Sequence, residues 1–326
     1  MKKYTVVKYS SLHYTIWNNF VSQAKNATFL FHRDFMEYHS NRFEDFSLLV
    51  LDEKENVCAV LPANRLENDV YSHQGLTYGG LILNKKAKLI EAISIFKQVL
   101  SFLNKSEIKR LEIKVIPSIY NDLPADELEY LAFLCEAKLI RRDILSSIDL
   151  QSPFKISQTR KNEITKSKQL GFEVKEVESF EDFWNQILIP NLEQKHQAKP
   201  VHTLEEITYL KEKFPKNIRQ FNVYLNNEIV AGTTVFESNK VAHSQYISGN
   251  GNQQTNGSLD VLHHYLITEV FVTKKYFDFG ISNENQGKKI NKGLLFWKES
   301  FGARTVMQSF YQFETESFEK LNSVFI

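Results

Sequence analysis

Cysteine, long apolar runs and an excess of either charge are scarce or missing in this sequence of 326 residues. Its two cysteines, Cys58 and Cys135, lie far apart, which favours two separate buried thiols over a disulfide. No stretch approaches the roughly 18 consecutive apolar residues of a transmembrane helix, so no stable membrane insertion is expected. The formal net charge of +1 gives no global attraction for nucleic acid or an anionic membrane.

The N-terminal residues and the missing motifs exclude further classes of protein. Lysines open the chain, but the apolar core of a signal peptide does not follow them, which predicts a cytoplasmic protein. The sequence contains no phosphate-binding P-loop, nucleophile elbow, zinc-protease motif or C-x-x-C pair. His263 and His264 are neighbours that would point about 100° apart on a helix, so they are a poor metal pair and no metal is expected.

What the sequence does contain is typical of a folded protein with two domains. Hydrophobic residues make up 42% of the chain and charged residues 24%, which allows a sizeable core. A chain of this length favours two domains over one. The pattern of strands and helices breaks near Leu150–Pro153. We therefore predict an N-terminal domain over residues 1–150 and a C-terminal domain over residues 151–326.

The two halves repeat one order of elements. In the first half, apolar strands at Phe46–Leu51 and Val57–Leu61 precede an amphipathic helix at Lys88–Leu103. In the second half, strands at Phe221–Leu225 and Ile229–Phe236 flank an Asn-Asn turn pair, and a strand, a loop and a helix follow. This repetition indicates an internal duplication. The predicted fold class is α/β (α+β), with two tandem domains of mixed sheets flanked by helices.

A Gly-rich loop between the strand Val241–Ser248 and an apolar helix is the strongest chemical signal. Three of the chain's twelve glycines lie between positions 249 and 257. Glycines let successive backbone N–H groups surround an anion, and the N-terminus of the next helix adds partial positive charge. A flexible turn would explain the same residues equally well, so both interpretations stay open.

The order of elements resembles the GNAT acyltransferase fold, and the duplicated layout resembles its FemAB-like branch. The segment Gln254–Leu259 matches the GNAT pyrophosphate loop, Q/R-x-x-G-x-G/A, at its first and fourth positions. It departs at the last position, where Leu259 replaces a small residue. The segment Tyr276–Gly280 resembles the fifth strand of that branch. Trp297-Lys298, followed by Phe301-Gly302, resembles its terminal helix.

The resemblance implies acetyl-CoA or another acyl-CoA as donor, with its pantetheine arm between two splayed strands, Val241–Ser248 and Tyr276–Ile281. Backbone N–H groups near Tyr246–Ser248 would stabilise the oxyanion formed from the thioester, which places Tyr246 among the candidate catalytic residues. The predicted donor-binding residues are Ile247, Ser248, Gly249, Asn250, Gly251, Gln254, Asn256, Gly257 and Ser258.

Amine acylation also needs a base to take a proton from the ammonium group. His202, just ahead of a predicted helix, and Glu284, after the last strand of the motif, are candidates, although solvated loop residues are the commoner case. An Asp in a first helical turn, such as Asp260, ordinarily compensates the helix dipole, but it could also face the acceptor. The predicted acceptor-binding residues are His243, Gln245, Asp260 and Ser282.

We therefore predict an acyl-CoA-dependent N-acyltransferase, with acetyl transfer as the expected reaction. The resemblance to the FemAB-like branch implies that its acceptor is an amino group on a small molecule or on a cell-surface polysaccharide precursor. Two alternatives stay open: an aminoacyl-tRNA-dependent transferase of the FemABX type acting on a peptidoglycan precursor, and a non-catalytic binding module. The near-neutral net charge disfavours nucleic acid as a partner. The sequence leaves the oligomeric state open.

Overall fold

The computed structural model describes residues 3–252 and 255–326, so the predicted donor-binding residue Gln254 lies outside the described residues. The chain forms two compact units. The first contains the residues up to Asp143 together with Met307–Ile326, and the second is Ile144–Val306. The C-terminal segment thus belongs to the first unit, whereas the sequence-based division at residues 150 and 151 places it in the second domain.

Between residue 3 and the start of β9, the described part of the first unit contains eight strands and four α-helices. These are β1 (Thr5–Lys8), α1 (Tyr14–Val21), α2 (Arg33–Glu37), β2 (Glu44–Asp45), β3 (Leu48–Leu51), β4 (Val57–Leu61), β5 (Asn64–Leu66), β6 (Asp69–Tyr71), β7 (Ile82–Leu83), α3 (Leu89–Lys105), β8 (Arg110–Lys114) and α4 (Glu127–Leu134). Strand β9 (Lys138–Asp149) then leads into the second unit.

The second unit continues with α5 (Gln158–Lys168), β10 (Glu173–Val177), α6 (Ile189–His196), α7 (Leu204–Lys213), β11 (Ile218–Leu225), β12 (Glu228–Glu237), β13 (Val241–Gly249), α8 (Ser258–Tyr265), β14 (Tyr276–Ile281), β15 (Asn283–Glu284), β16 (Lys289–Ile290) and α9 (Lys292–Ser300). Strand β17 (Arg304–Glu314) returns to the first unit. Short π-helical segments, Phe183–Leu188 and Leu266–Val270, precede α6 and follow α8.

The core of the first unit lies under helix α3. Apolar residues at helical spacing, including Phe96, Val99, Leu100 and Leu103, are fully buried there because they share one face of the helix. Its strands form one sheet in the order β1-β3-β4-β7 and a second group in the order β17-β8-β6-β5-β2. Cys58 and Cys135, which belong to this unit, are free thiols.

The second unit is a mixed sheet with strands in the order β10-β11-β12-β13-β14-β9. The predicted hairpin joins β11 to β12 through Asn226 and Asn227, whose φ angles of 52° and 66° are those of a tight turn with both central residues left-handed. Phe221, Leu262 and Phe277 are among the fully buried residues of its core. Within residues 3–252 and 255–326, no helix has both the length and the apolar character that crossing a bilayer requires.

Strands β13 and β14 are parallel and separate after three residue pairs. The pairs are Val241 with Tyr276, Ala242 with Phe277, and His243 with Asp278. Strand β13 then continues to Gly249 and β14 continues to Ile281 without further pairing between them, while β9 pairs with the opposite edge of β14. A bulge at Gln245, where β13 has one residue more than β12, bends the strand at the same place. The sheet therefore opens between these two strands.

The corresponding parallel pair of the first unit does not open in this way. Strands β6 and β8 also pair over three residues, but the chain after β6 stays bonded to β8. The N–H of Ser72 donates to the carbonyl oxygen of Glu112 at 2.9 Å, and the N–H of Gly79 donates to that of Lys114 at 2.6 Å. In the first unit, hydrogen bonds to β8 therefore continue beyond the three paired residues, and no opening forms between its two parallel strands.

Candidate functional site

A cavity of about 680 Å³ lies beside the separated end of β13. Main-chain segments 247–249 and 255–260 form part of its wall, and side chains from α5, α6 and α9 complete it. Among the predicted donor-binding residues that the structure describes, those lining this cavity are Ile247, Ser248, Gly249, Gly251, Asn256, Gly257 and Ser258. Asn250 does not line it, but its side-chain oxygen accepts a hydrogen bond from the hydroxyl of Thr255 and so braces the loop.

Gly257 sets the geometry at the start of helix α8. It is the N-cap residue, with φ at +92°, a conformation that side chains other than hydrogen disfavour. A Cβ atom there would lie 1.9 Å from the hydroxyl oxygen of Ser167 on α5. The first helical N–H groups, on Ser258 and Leu259, have no partner within the helix, and both residues line the cavity. Such groups suit an anionic ligand.

Asp260 is held within the protein and is not exposed to solvent. Its carboxylate forms an ion pair with Arg160 of α5 and accepts a hydrogen bond from the indole N–H of Trp297 at 2.7 Å. Arg160 also donates to the hydroxyl of Ser300 at 2.9 Å. The negative charge that would repel an anion at this helix N-terminus is therefore neutralised by a fixed cation.

Lys195 supplies a second cation to the same cavity. Among the described residues it forms no ion pair, whereas Arg160 is engaged by Asp260. Its ammonium nitrogen lies 3.3 Å from the position that a Cβ on Gly251 would occupy, so it lies directly over the Gly-rich loop. The side chain of Asn191 donates to the hydroxyl of Ser248 at 2.8 Å and to the carbonyl oxygen of Gly249, which fixes the end of β13.

A buried polar cluster marks the point where β13 and β14 separate. Nδ1 of His243 lies 3.0 Å from Oδ2 of Asp278, and the other carboxylate oxygen accepts the N–H of Gly280 at 2.8 Å. The ammonium group of Lys298 on α9 donates to the carbonyl oxygens of Gly280 and Ile281 at 3.1 and 2.6 Å. Burial lowers the pKa of Lys298 to about 8, although the carboxylate of Asp278 partly opposes this shift.

His202 and Tyr246, two of the predicted catalytic residues, are in direct contact. His202 is buried rather than solvated, and its Nδ1 lies 2.6 Å from the phenolic oxygen of Tyr246. The same oxygen lies 3.2 Å from the backbone nitrogen of His202, whose N–H donates to it. The ring of Trp184 packs edge-on against Tyr246 with centroids 5.2 Å apart. The pair is therefore rigidly held by neighbours in the sheet and in the π-helical segment.

The remaining predicted site residues are distributed around the opening. Glu284 is exposed in the hairpin of β15 and β16, where its backbone lies opposite that of Lys289. Ser282 is buried, and its hydroxyl has no hydrogen-bond partner among the described residues. The side-chain oxygen of Gln245, at the bulge, is likewise buried without a partner in that part of the chain. Such groups suit a ligand that brings its own donors.

Histidine pairs do not form a metal centre in the described part of the chain. Within residues 3–252 and 255–326, no group of three or more side chains is arranged to hold a metal ion. Nδ1 of the fully buried His263 lies 2.8 Å from the carbonyl oxygen of Leu259 and donates to it. Burial lowers the pKa of His263 to about 4, which keeps the ring neutral near pH 7.

Sequence reasoning missed several residues that shape this site. Asp278 stands between phenylalanines in a buried strand, where a carboxylate requires a partner. Lys298 is a lysine on the buried side of an aromatic-rich helix. The sequence alone could have indicated both residues, because a charged residue within an apolar segment is seldom buried without a partner. The roles of Arg160 and Lys195 depend on long-range contacts that periodicity does not reveal.

The comparisons with known proteins agree with this architecture. No family model matches the sequence, and no curated protein matches it. Among solved structures, FemX is similar over 97% of this chain and 99% of its own, with a TM-score of 0.66 and 8% identity. The C-terminal domain of a putative lysylphosphatidylglycerol synthetase from Agrobacterium fabrum is similar over 93% and 91%, with a TM-score of 0.59 and 11% identity. A tandem GNAT protein from the clavulanic acid biosynthesis pathway, solved without acetyl-CoA, is similar over 96% and 99%, with a TM-score of 0.51 and 11% identity.

These likenesses establish the fold. The chain has a GNAT-type fold of the FemAB-like, tandem kind, and the predicted α/β class with mixed sheets flanked by helices is confirmed. At 8 to 11% identity they do not identify a donor or an acceptor.

Proposed function

We propose that the second unit is an acyl-CoA-dependent N-acyltransferase, with acetyl transfer as the expected reaction. The observation that carries this proposal is the separation of β13 from β14 after His243 and Asp278, together with the cavity at the end of β13. An opening between two parallel strands can admit a narrow, extended thioester arm. The loop at its mouth offers main-chain donors and the ammonium group of Lys195 for the anionic end of the same molecule.

The donor's carbonyl group would lie against β13. The parallel pairing of β13 with β14 ends at His243. Beyond that residue, the backbone N–H groups on this edge of β13 form no ladder hydrogen bonds to β14. A main-chain donor near Ile247 could therefore stabilise the oxyanion that develops when an amine attacks the thioester. Lys298 donates to the carbonyl oxygens at the end of β14, so its proposed role is that of a positioning residue for this strand.

The base is proposed to be His243. Its Nδ1 faces the carboxylate of Asp278, so the neutral ring carries its proton on Nδ1 and its basic lone pair on Nε2. Such a carboxylate also stabilises the imidazolium that forms when the ring accepts the proton of the attacking amine. The leaving thiolate requires a proton, for which the phenol of Tyr246, bonded to His202, is the proposed source. His202 and Glu284 remain alternative bases.

The acceptor is proposed to be a primary amine on a small molecule or on a cell-surface polysaccharide precursor. The buried side-chain oxygens of Gln245 and Ser282 have no partner in the described residues, so they could accept hydrogen bonds from its ammonium or hydroxyl groups. Asp260 is a weaker candidate for this contact than the sequence suggests, because Arg160 and Trp297 already occupy its carboxylate.

A second candidate is aminoacyl transfer from aminoacyl-tRNA to a peptidoglycan precursor. It is favoured by the likeness to FemX, which superposes with a higher TM-score than the tandem GNAT protein, 0.66 against 0.51. The formal net charge of +1 is a weak electrostatic basis for binding tRNA. A failure to bind either donor would favour the non-catalytic binding module.

The experiment that separates these functions measures donor binding first and transfer second. The purified chain is titrated with acetyl-CoA and with aminoacyl-tRNA, and the melting temperature is followed for each. Acetyl-CoA should raise it in a concentration-dependent way. Incubation with acetyl-CoA and a panel of amino sugars should then yield an acetamide and one equivalent of free CoA thiol by mass spectrometry. Stabilisation by aminoacyl-tRNA alone would favour the second candidate, and stabilisation by neither would favour the binding module.

A further inference from the structure

A second cavity, of about 470 Å³, lies at the other end of β14. Tyr276, the first residue of that strand, lines it, together with Ser147 and Asp149 at the end of β9. A strand rises roughly 3.3 Å per residue, so Tyr276 and Ile281 are about 17 Å apart along β14. The second cavity is therefore separate from the opening between β13 and β14, and the proposed reaction does not use it.

The charges around this cavity leave two cations available to a ligand. Lys155 and Arg304 both line it, both are exposed, and neither forms an ion pair within residues 3–252 and 255–326. One guanidinium N–H of Arg304 donates a hydrogen bond to the carbonyl oxygen of Ala303 at 2.7 Å. A planar guanidinium retains further donors after one such bond and can bind an oxyanion through two of them.

Asp149 is the acidic side chain among the described residues that line the cavity. Its two oxygens accept hydrogen bonds from the N–H of Gln151 at 3.0 Å and from the hydroxyl of Ser152 at 2.9 Å. The carboxylate therefore fixes the turn after β9. The formal charge of the lining, from Asp149, Lys155 and Arg304, is +1, which favours an anionic occupant.

Aromatic side chains supply part of the wall. Phe154 and Tyr276 line the cavity, and the ammonium group of Lys275 lies 5.3 Å from the centre of the Tyr276 ring. Gly302, with φ at +100°, brings the chain close to Phe154. A Cβ there would lie 3.1 Å from that ring and 3.1 Å from the carbonyl oxygen of Lys155. A glycine at this position thus allows the segment that carries Lys155 to pack against the wall.

We propose that this cavity binds a small phosphate monoester with a flat apolar body. Arg304 and Lys155 would hold the phosphate, and Phe154 and Tyr276 would contact the apolar part. The volume lies within the range of about 300–1,000 Å³ typical of small-molecule sites. The proposal does not depend on the function proposed for the first cavity, because its residues are different.

The test is calorimetric titration of the full chain with phenyl phosphate, inorganic phosphate and benzoate. Phenyl phosphate should bind one site per chain, more tightly than inorganic phosphate, which lacks the ring, and than benzoate, which lacks the dianion. Arg304→Gln and Lys155→Gln should each weaken phenyl phosphate binding roughly tenfold, on the scale of one charge-assisted contact. Lys161→Gln, an exposed lysine on α5 outside the lining, is the matched control and should leave the affinity unchanged.

Three results would overturn the proposal. The first is no heat of binding for phenyl phosphate at millimolar concentration. The second is a loss of affinity in Lys195→Ala, in the first cavity, with no loss in the Arg304 and Lys155 variants, since the ligand would then occupy the donor cavity. The third is equal affinity for benzoate and phenyl phosphate. If Arg304→Gln fails to melt cooperatively, the exposed Lys155→Gln variant decides the outcome alone.

Discussion

Asp278 and His243 form the last residue pair that joins β13 to β14, and their side chains bond to each other at that point, with 3.0 Å between Oδ2 and Nδ1. The opening in the sheet therefore begins at a buried acid–base pair, which places a group able to accept a proton at that opening. The same residues define where the thioester arm would enter and where the proposed base is held.

Replacing either partner should therefore slow acyl transfer without weakening donor binding. His243→Gln should lower kcat by about 10²- to 10⁴-fold, the usual contribution of a general base. Asp278→Asn should lower kcat by a smaller factor, because the ring loses the carboxylate that orients Nδ1 and stabilises the imidazolium. Steady-state kinetics together with calorimetric Kd values for CoA check both expectations.

The control for this pair is His264→Gln, a histidine on α8 outside the opening. Its kcat should equal that of the wild type. An unchanged kcat in His243→Gln would exclude His243 as the base and return attention to His202 and Glu284.

Adding one methyl group at Gly257 should weaken CoA binding at least tenfold. Its Cβ would lie 1.9 Å from the hydroxyl oxygen of Ser167, and the residue has a positive φ, so the loop and the start of α8 must shift. Isothermal titration with CoA measures the change. Gly293→Ala on α9 adds the same methyl group where the nearest neighbouring atom is 3.8 Å away, and it should leave the Kd unchanged. Equal CoA affinity in the two variants would argue against the loop as the pyrophosphate site.

Lys195→Ala should raise the Kd for CoA about tenfold and leave the Kd for acetyl-pantetheine unchanged. The reason is that Lys195 lies over the Gly-rich loop, whereas pantetheine lacks the phosphates. Lys199→Ala, from the exposed segment after α6, is the matched control. A parallel loss for both ligands in Lys195→Ala would mean that the side chain acts on the shape of the cavity rather than on its charge.

Acid should destabilise the first unit through a buried histidine cluster. His39 is 1% exposed, both of its ring nitrogens lack partners among the described residues, and its ring lies 5.2 Å from that of His73. Burial, with a smaller contribution from Arg42, lowers the pKa of His39 to about 4. Burial, with the neighbouring His39, lowers the pKa of His73 to about 3.

In the unfolded chain, histidine titrates near pH 6.5. Between that pH and about 4, His39 and His73 therefore bind protons in the unfolded chain but stay neutral in the native chain. The free energy of unfolding should fall as the pH drops from about 6.5 towards 4, by up to about 1.4 kcal/mol per pH unit for each histidine. His39→Phe should reduce this dependence of the unfolding free energy on pH, measured by urea titration. His13→Phe, at a residue just before α1 that is not part of this cluster, should leave it unchanged. Identical slopes in wild type and His39→Phe would contradict the assignment.

Local patterns predicted much of the fold that carries the site. The turn at Asn226 and Asn227, the strand Val241–Gly249 and the helix after the Gly-rich loop each have a signal confined to a few consecutive residues. The lining of the first cavity by residues 247–249 and 256–258 also follows from such a signal.

Contacts between distant residues could not be predicted in the same way. The partners His243 and Asp278 are 35 residues apart, and Arg160 and Asp260 are 100 apart. The bulge at Gln245 interrupts the strict alternation of a strand, which a period of two cannot reveal. The burial of His202 depends on the phenol of Tyr246, on a strand that is remote in sequence.

A crystal structure of the chain with acetyl-CoA tests the central proposal most directly. The account predicts the pantetheine arm between β13 and β14 beyond His243 and Asp278, the thioester carbonyl group against β13, and the pyrophosphate on the loop that ends at Gly257. Acetyl-CoA bound elsewhere, or β13 and β14 hydrogen bonded beyond that residue pair with the cavity closed, would contradict it.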